Sequence, residues 1–357
     1  MPNIAEAADE EAALEQLHRA SYTDGLPVVI PTPRRVEEMI RGCGYDPDVS
    51  LGAAGPSQSA ATIQAVAVNA VMAGCLPAHF PVVVAAVSAI CDPEFDLTEV
   101  QVTTHPVTPI LIVNGPARES CGLSSGFGAF GPGHRANACI GRAVRLVMMN
   151  IGGARPGVND MAIYGHPAKF TFCAAEDEEA SPWPPLHVSR GWRPDQSTVT
   201  AAAVEGPHSV ICAPMSPDCV EMAVPAAIGA IASAVGSPGS NTTYFERGTI
   251  VVVINQLLAR MFADAGYSRQ SMQGQLVERS RHPRRVLRQL NPALMPPGPD
   301  DDLVPRRDPG TILIVVAGGR GNYAMVCPTL GVGPHNNAAV TKEIEINQMC
   351  MLPSASQ

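Results

Sequence analysis

Apolar residues along this chain come in short blocks divided by polar, glycine-rich and proline-rich punctuation, and the period within each block decides which element it predicts. Residues 6–20 have the spacing of a short amphipathic surface helix. "YTDGLPVVIPT" reads as a turn and then a strand. "PRRVEEMIRGCG" reads as a helix with Pro33 near its first turn and Gly42 or Gly44 as the stop. "GAAGPSQSA" reads as a loop. Thr62 to Gly74 predicts a strongly apolar helix, and a second apolar helix, Pro77 to Cys91, starts almost at once. "TPILIVNGP" predicts a buried strand ending in a turn. The glycine-rich "CGLSSGFGAFGPGH" follows, and then a helix from Arg135 to Asn150. "IGGARPGVNDMAIYGHPAKFTF" reads as loop and short strand, and the polar, proline-rich "EDEEASPWPPLHVSRGW" as a linker or excursion.

The second half repeats this rhythm. "STVTAAAVEGPHSV" reads as strand then turn, Val220 to Val235 as an apolar helix, "GTIVVVIN" as a strand and "QLLARMFADAGYS" as a helix stopped by Gly266. Residues 275–309 read as a charged, proline-rich insertion. "GTILIVVAGG" supplies a last buried strand, and "GVGPHNNAAV" a turn into a final helix. The echo of "TPILIVNGP", "GTIVVVIN" and "GTILIVVAGG" suggests repeated strand-turn-helix units, with too few aligned identities to establish duplication. The expected fold is α/β, built from such units around a largely parallel or mixed sheet. The expected division is a first domain over 1–175, a linker or excursion over 176–196, and a second domain over 197–357 carrying the 275–309 insertion.

Composition narrows the class. Hydrophobic residues make up 46% and charged residues 16% of the 357 residues, so the chain is globular rather than disordered. Aromatics are only 4%, which predicts a core of small and β-branched side chains. A formal charge of −9 argues against general nucleic-acid binding, which needs a basic face. The acidic N-terminus has no apolar signal core, and the best apolar run, Val224 to Val235, is too short to span a bilayer. The 10 cysteines show no disulfide framework. The expectation is a cytoplasmic homo-oligomer with reduced thiols that binds neither membrane nor nucleic acid.

Three features carry candidate chemistry. The run "AVNAVMAGCLPAHFPVVVAAV", residues 67–87, is broken by Pro77 and Pro81 around Cys75 and His79. If the break places Cys75 just before a helix N-terminus, the helix dipole lowers its pKa, and His79 becomes its proton partner. The alternative is that Cys75 is a small buried hydrophobe. In the second feature, six glycines between Gly122 and Gly141 lead into a helix opening with Arg135 and Asn137, a setting for an anion. "GFGAFG" satisfies G-x-G-x-x-G at Gly126, Gly128 and Gly131, but no helix stands directly behind it, and no Walker A lysine follows. Arg135, Arg142 and Arg145 share a helix face, and a substrate carboxylate or phosphate, internal salt bridges or plain solvent would satisfy them. Cys121, Ser124, Ser125, His134 and Cys139 lie in the same neighbourhood, each able to act as nucleophile, proton carrier or soft ligand.

The third feature is the recurrence of Gly-Pro beside histidine, at His134, His208 and His335. If these turns sit at the carboxyl ends of strands, the three histidines converge on substrate or on a divalent metal; otherwise they mark turns alone. No H-x-H, H-E-x-x-H or C-x-x-C spacing encodes a metal, so the cofactor stays open between none and a divalent ion. His105 in "THP" and His166 in "GHP" are two further loop histidines, and the basic run Arg279 to Arg288 reads as a solvated excursion or a subunit contact.

"TDGLPVVIPT", "VAVNAVMAGCLPAHFPVVVAAV", "LIVNGP", "FGPGHRANACIGRAVRL" and "AVEGPH" together resemble a bacterial family whose members look like companions of, or fusions to, a short domain with a U-G-S-C motif, U being selenocysteine or cysteine. The resemblance covers most of residues 22–230. This chain has no "CGSC" of its own, so the resemblance implies a separate thiol or selenol partner and, by analogy, reductive or eliminative cleavage of a carbon–heteroatom bond. The first functional expectation is an enzyme, a lyase or thiol-dependent reductase, acting on a small anionic substrate. Cys75, His79, His134 and Cys121 carry its chemistry, and Ser124, Ser125, Gly126, Arg135, Asn137, Arg142, His208 and His335 hold its substrate. The alternatives are a metal-dependent lyase or hydrolase using His134, His208 and His335, and a non-catalytic subunit of the thiol or selenol partner.

Overall fold

The structure is a computed structural model and describes residues 7–212 and 220–346. Eight strands, β1 (Thr108–Asn114), β2 (Cys173–Ala175), β3 (Thr198–Val204), β4 (His208–Ile211), β5 (Ile250–Ile254), β6 (Ile312–Val316), β7 (Tyr323–Cys327) and β8 (Val340–Glu343), form two four-stranded sheets of order β8-β3-β1-β2 and β6-β5-β7-β4. Each sheet is mixed. One pair is parallel, β1 with β2 and β5 with β6, and the other pairings are antiparallel.

The sheets lie face to face with helices outside. On the first sheet pack α1 (Ile63–Ala73), α2 (Phe80–Ile90) and α3 (Arg135–Asn150); on the second, α4 (Val220–Val235), α5 (Gln256–Asp264) and α6 (Arg269–Arg279). Every residue of β1 is buried because both of its faces are covered. Leu111 and Val113 meet the helices, while Ile110 and Ile112 meet Val251 and Val253 of β5 across the gap between the sheets. The α/β fold is therefore mixed rather than largely parallel, and layered helix–sheet–sheet–helix.

The two sheets share one plan, and "TPILIVN" of β1 corresponds to "TIVVVIN" of β5. Each half supplies a central strand, a parallel neighbour beyond its helices and an antiparallel strand on the other side. It then passes its next strand to the other sheet. β4 follows β3 but pairs with β7, and β8 follows β7 but pairs with β3. Gly206-Pro207-His208 and Gly333-Pro334-His335 lie at these two crossings. The boundary drawn at 176–196 falls between two strands of the same sheet, β2 and β3.

Several local expectations are corrected. No strand forms in "GLPVVIPT": Pro27 and Pro31 have no N–H to donate to a ladder, and Val29 N–H bonds singly to Met72 O at 3.1 Å. "GAAGPSQSA" is no plain loop but part of a hairpin, residues 55–58 turning between the paired strands Ser50–Ala54 and Ser59–Thr62. "GVGPHNNAAV" leads into β8 rather than a helix, because the edge of β3 needs a partner and Val340 and Thr341 are β-branched. The basic run is no simple solvated excursion. Arg284 and Arg288 face an acidic arm, reaching Asp302 at 3.7 Å and Asp300 at 2.5 Å, and Arg285 pairs with Asp301. Among the described residues no helix is long and apolar enough to cross a membrane.

The stretch read as a linker carries a fully buried carboxylate. Glu176, fully buried, accepts hydrogen bonds from Asn114 Nδ2 (2.6 Å), the Leu186 amide (2.6 Å) and Arg269 Nη2 (2.9 Å). Arg269 also donates to Ile314 O at 2.6 Å, so this pair joins the end of β2 to β6. Removing one partner of a buried pair leaves an uncompensated charge, a loss of about 3–5 kcal/mol. Glu176→Ala is expected to lower the unfolding free energy from urea titration by that much, and the midpoint with it, with Glu176→Gln losing less because the amide oxygen still accepts. An unchanged midpoint for Glu176→Ala contradicts the assignment.

Candidate functional site

The break after α1 has a local cause. Gly74 ends the helix in the left-handed conformation (φ 84°), and Pro77 starts a 3-10 turn, Pro77–His79, that leads into α2. The turn folds both candidate groups inward. Cys75 is buried in the first core, and α2 opens only at Phe80, so the expected helix N-terminus at the thiol is missing. Burial and the neighbouring thiols of Cys139 and Cys173 push the Cys75 thiol well up, opposite to the lowered pKa expected, with Arg135 opposing. His79 is 2% exposed, and its Nδ1 accepts the Leu76 N–H at 3.2 Å. Burial, with the charge of Arg135, lowers its pKa to about 4, so the imidazole is neutral.

Around this turn gather more thiols. Cys121, also buried, donates its thiol to Ala78 O at 2.9 Å, and Cys173 at the start of β2 neighbours it. Cys139, on the second turn of α3, lies over the end of α1: a Cβ on Gly74 would stand 3.6 Å from its Sγ. Cys139 is partly exposed. Arg135, one turn earlier on α3, donates to Gly74 O at 3.1 Å and stands near the Cys139 thiol. The Cys139 thiol lies above its ordinary value, because burial outweighs the pull of Arg135 and then Arg142 towards the thiolate. The structure thus brings together Cys75, His79, Cys121, Cys139 and Arg135.

The other arginines of the face have internal partners. Arg142 binds both oxygens of Asp24 at 2.8 Å and donates to Pro27 O at 2.9 Å, and Arg145 reaches Asp160 Oδ2 at 2.7 Å. Arg142 is therefore corrected from substrate anchor to tether of the N-terminal segment. Arg135, which donates to a carbonyl and stands near a thiol, keeps its charge unmatched by a carboxylate among the described residues.

The glycine-rich loop serves the fold. Asn137, expected to touch substrate, is buried and holds the loop instead, donating to Ser124 O (2.8 Å) and Ala129 O (2.9 Å) and accepting from Ser124 N–H (2.9 Å). Ser124 O accepts from Ala175 N at 3.2 Å and Ser125 O from Gly318 N at 2.7 Å, so the loop crosses the carboxyl ends of β2 and β6. Phe127 lies so close to Gly319 that a Cβ there would collide with its ring. Gly126 has open space about it. His134 precedes α3, and its Nε2 bonds Phe127 O of the glycine-rich loop at 3.0 Å.

His208 and His335 do not join it. His208 is exposed at the start of edge strand β4, opposite Val326. His335 Nδ1 lies 2.8 Å from Asp96 Oδ1, a contact that raises its pKa, and the same buried carboxylate accepts the N–H groups of His335 and Asn337. Among the described residues no three histidine, cysteine, aspartate or glutamate side chains gather as metal ligands, which corrects the proposed set of His134, His208 and His335. His105 bonds Glu205 at 3.2 Å, and His166 bonds Pro106 O. The pairing of Arg135 with Cys139 was not singled out from sequence, although their i, i+4 spacing was the available signal.

No protein-family model matches the chain, and no curated protein matches it significantly.

The buried neutral His79 predicts acid sensitivity. An unfolded chain takes up the proton near pH 6.5, the folded one only near 4, so stability is complete above the first value and falls as pH drops towards the second. The loss is expected to be roughly 3 kcal/mol over that range. His79→Gln should flatten this limb in urea titrations at each pH; an equally steep limb in the variant excludes His79 as its source.

Proposed function

We propose that the protein is a cysteine-dependent enzyme acting on a small anionic molecule at the start of α3. Arg135 anchors the anion and Cys139 is the reacting thiol. The observation that carries this reading is the Arg135 guanidinium, held on the carbonyl of Gly74 at 3.1 Å and near enough to the Cys139 thiol to oppose the effect of burial on it. A guanidinium favours the thiolate, and it offers further donors to a carboxylate or phosphate beside the sulfur. Cys75 and Cys121 form the buried wall, and neutral His79 lines the same turn. The sequence resemblance to companions of U-G-S-C proteins supports the same reading, with a partner's thiol or selenol meeting Cys139, the more exposed thiol of the group. Cleavage of a carbon–heteroatom bond is the reaction class that this pairing suits.

Alkylation with peptide mapping tests the proposal. Cys139 is expected to label fastest among Cys75, Cys121, Cys139 and Cys173. Relative to a free thiol, it should favour anionic iodoacetate over neutral iodoacetamide by about fivefold, the effect of roughly 1 kcal/mol from one nearby partly solvated cation. Arg135→Gln should abolish that preference and slow labelling at fixed pH. Equal selectivity with and without Arg135 overturns the proposal.

A further inference from the structure

The opposite end of α3 carries a cavity that the thiol chemistry does not use. It has a volume of about 600 Å³, and Arg145, Met149, Asp160, Tyr164, Lys169 and Phe170 are among its lining residues. Asp160 is buried, and two cations share it, Arg145 Nη2 at 2.7 Å and Lys169 Nζ at 2.7 Å. Two positive charges on one carboxylate leave one in surplus. The other acid at the cavity, Asp24, is already neutralised by Arg142 at 2.8 Å. The remaining wall is largely apolar apart from His166, whose Nε2 is turned to Pro106 O, and Tyr164 at the rim is 93% exposed. The loop that shapes the cavity is pinned. The N–H groups of Val158, Asn159 and Asp160 converge on Arg155 O at 3.0–3.1 Å, and Ile163 N–H bonds Thr104 O at 3.0 Å.

We infer that this cavity binds a small organic carboxylate with an aromatic or aliphatic body, its head on Lys169 and Arg145 and its body against Met149, Phe170 and Tyr164. A cation is disfavoured by the surplus charge, and an inorganic anion leaves the apolar wall empty. Burial holds the Lys169 ammonium below the usual lysine range despite Asp160, so a second carboxylate beside it compensates a charge that burial makes costly.

The inference is independent of the thiol reading, because its readout is binding alone. Titration of the full chain with 3-phenylpropionate, followed by calorimetry or by shifts of the Tyr164 resonances, should show saturable binding at one site. Lys169→Met should weaken it about tenfold or more, the effect of one charge-assisted hydrogen bond. Tyr164→Ala, at a position too exposed to affect folding, should weaken the aromatic probe several-fold and leave acetate unchanged. Absence of binding, equal affinity in both variants, or inorganic phosphate binding as tightly as 3-phenylpropionate overturns the inference.

Discussion

One buried carboxylate governs how the two halves meet. Glu176 stands at the carboxyl end of β2, where the first sheet would otherwise end, and Arg269 reaches it from α6 on the second. Taking two such charges out of water is costly, and hydrogen bonds to both groups offset much of the cost. Asn114 and the Leu186 amide donate to the carboxylate, Ile314 O and Pro184 O accept from the guanidinium, and Arg269 Nε alone of its nitrogens is left without a partner among the described residues. A greasy pair of similar size would hold the layers together without fixing their register. The ion pair accepts one register only, so the sheets, β1 and the 176–190 segment are set in relation at a single point. Neighbouring charges extend this point outward, with Arg118 pairing Glu179 at 2.7 Å and Glu178 at 3.2 Å.

Face-to-face sheets also explain the composition. The layer between them is filled by Ile110, Ile112, Ala202, Val204, Val251, Val253, Leu313 and Val315, side chains short enough for two sheets to pack closely. Aromatic residues are few because this layer has little room for them, and Phe172 stands at its margin against Phe130, ring centroids 5.4 Å apart. The same closeness accounts for glycine in the loop before α3 and after β6. Gly318 meets the loop backbone through its N–H, and Gly319 meets the Phe127 ring. A run that looks like a phosphate cradle is here a strap across strand ends.

Elements with a strong local period were legible in the sequence. The helix read over Arg135 to Asn150 has those limits, "TPILIVN" and "IVVVI" are interior strands, and "ILIVV" is a buried strand at the edge of its sheet. Of the three echoes, β1 and β5 hold equivalent places in the two halves, while β6 holds the place of β2 and leads into the strand β7 rather than a helix. What local pattern could not carry was every decision made at long range. β4 and β8 are short edge strands whose partners lie in the other half, and nothing near Val340 says that β3 awaits it. The acidic "EDEE" looked solvated because charge is ordinarily exposed, yet Glu176 is buried where Arg269, 93 residues away, compensates it. For Arg142 and Arg145 the sequence leaves a substrate anion, an internal salt bridge and plain solvent open, and Asp24 and Asp160 make it the salt bridge.

The candidate site divides along the same line. The broken helix at Gly74 was legible, since Gly-Cys-Leu-Pro cannot continue a helix. Its consequence was not, because a break can turn a thiol outward or inward, and this one turns Cys75 inward. What the break presents outward is a backbone carbonyl, that of Gly74, which no longer has a helical partner. Arg135 takes that carbonyl and in doing so is held over Cys139. The break therefore acts on the chemistry at one remove: it positions the cation, and the cation tunes a thiol on another helix. A cysteine on α3 without Gly74 beneath it would have a mobile arginine one turn away, one among many exposed i, i+4 pairs of little energetic consequence. With the carbonyl fixed below, the guanidinium has one of its donors committed and its position restrained, and its charge stays near the sulfur with further donors free for an anion that approaches it.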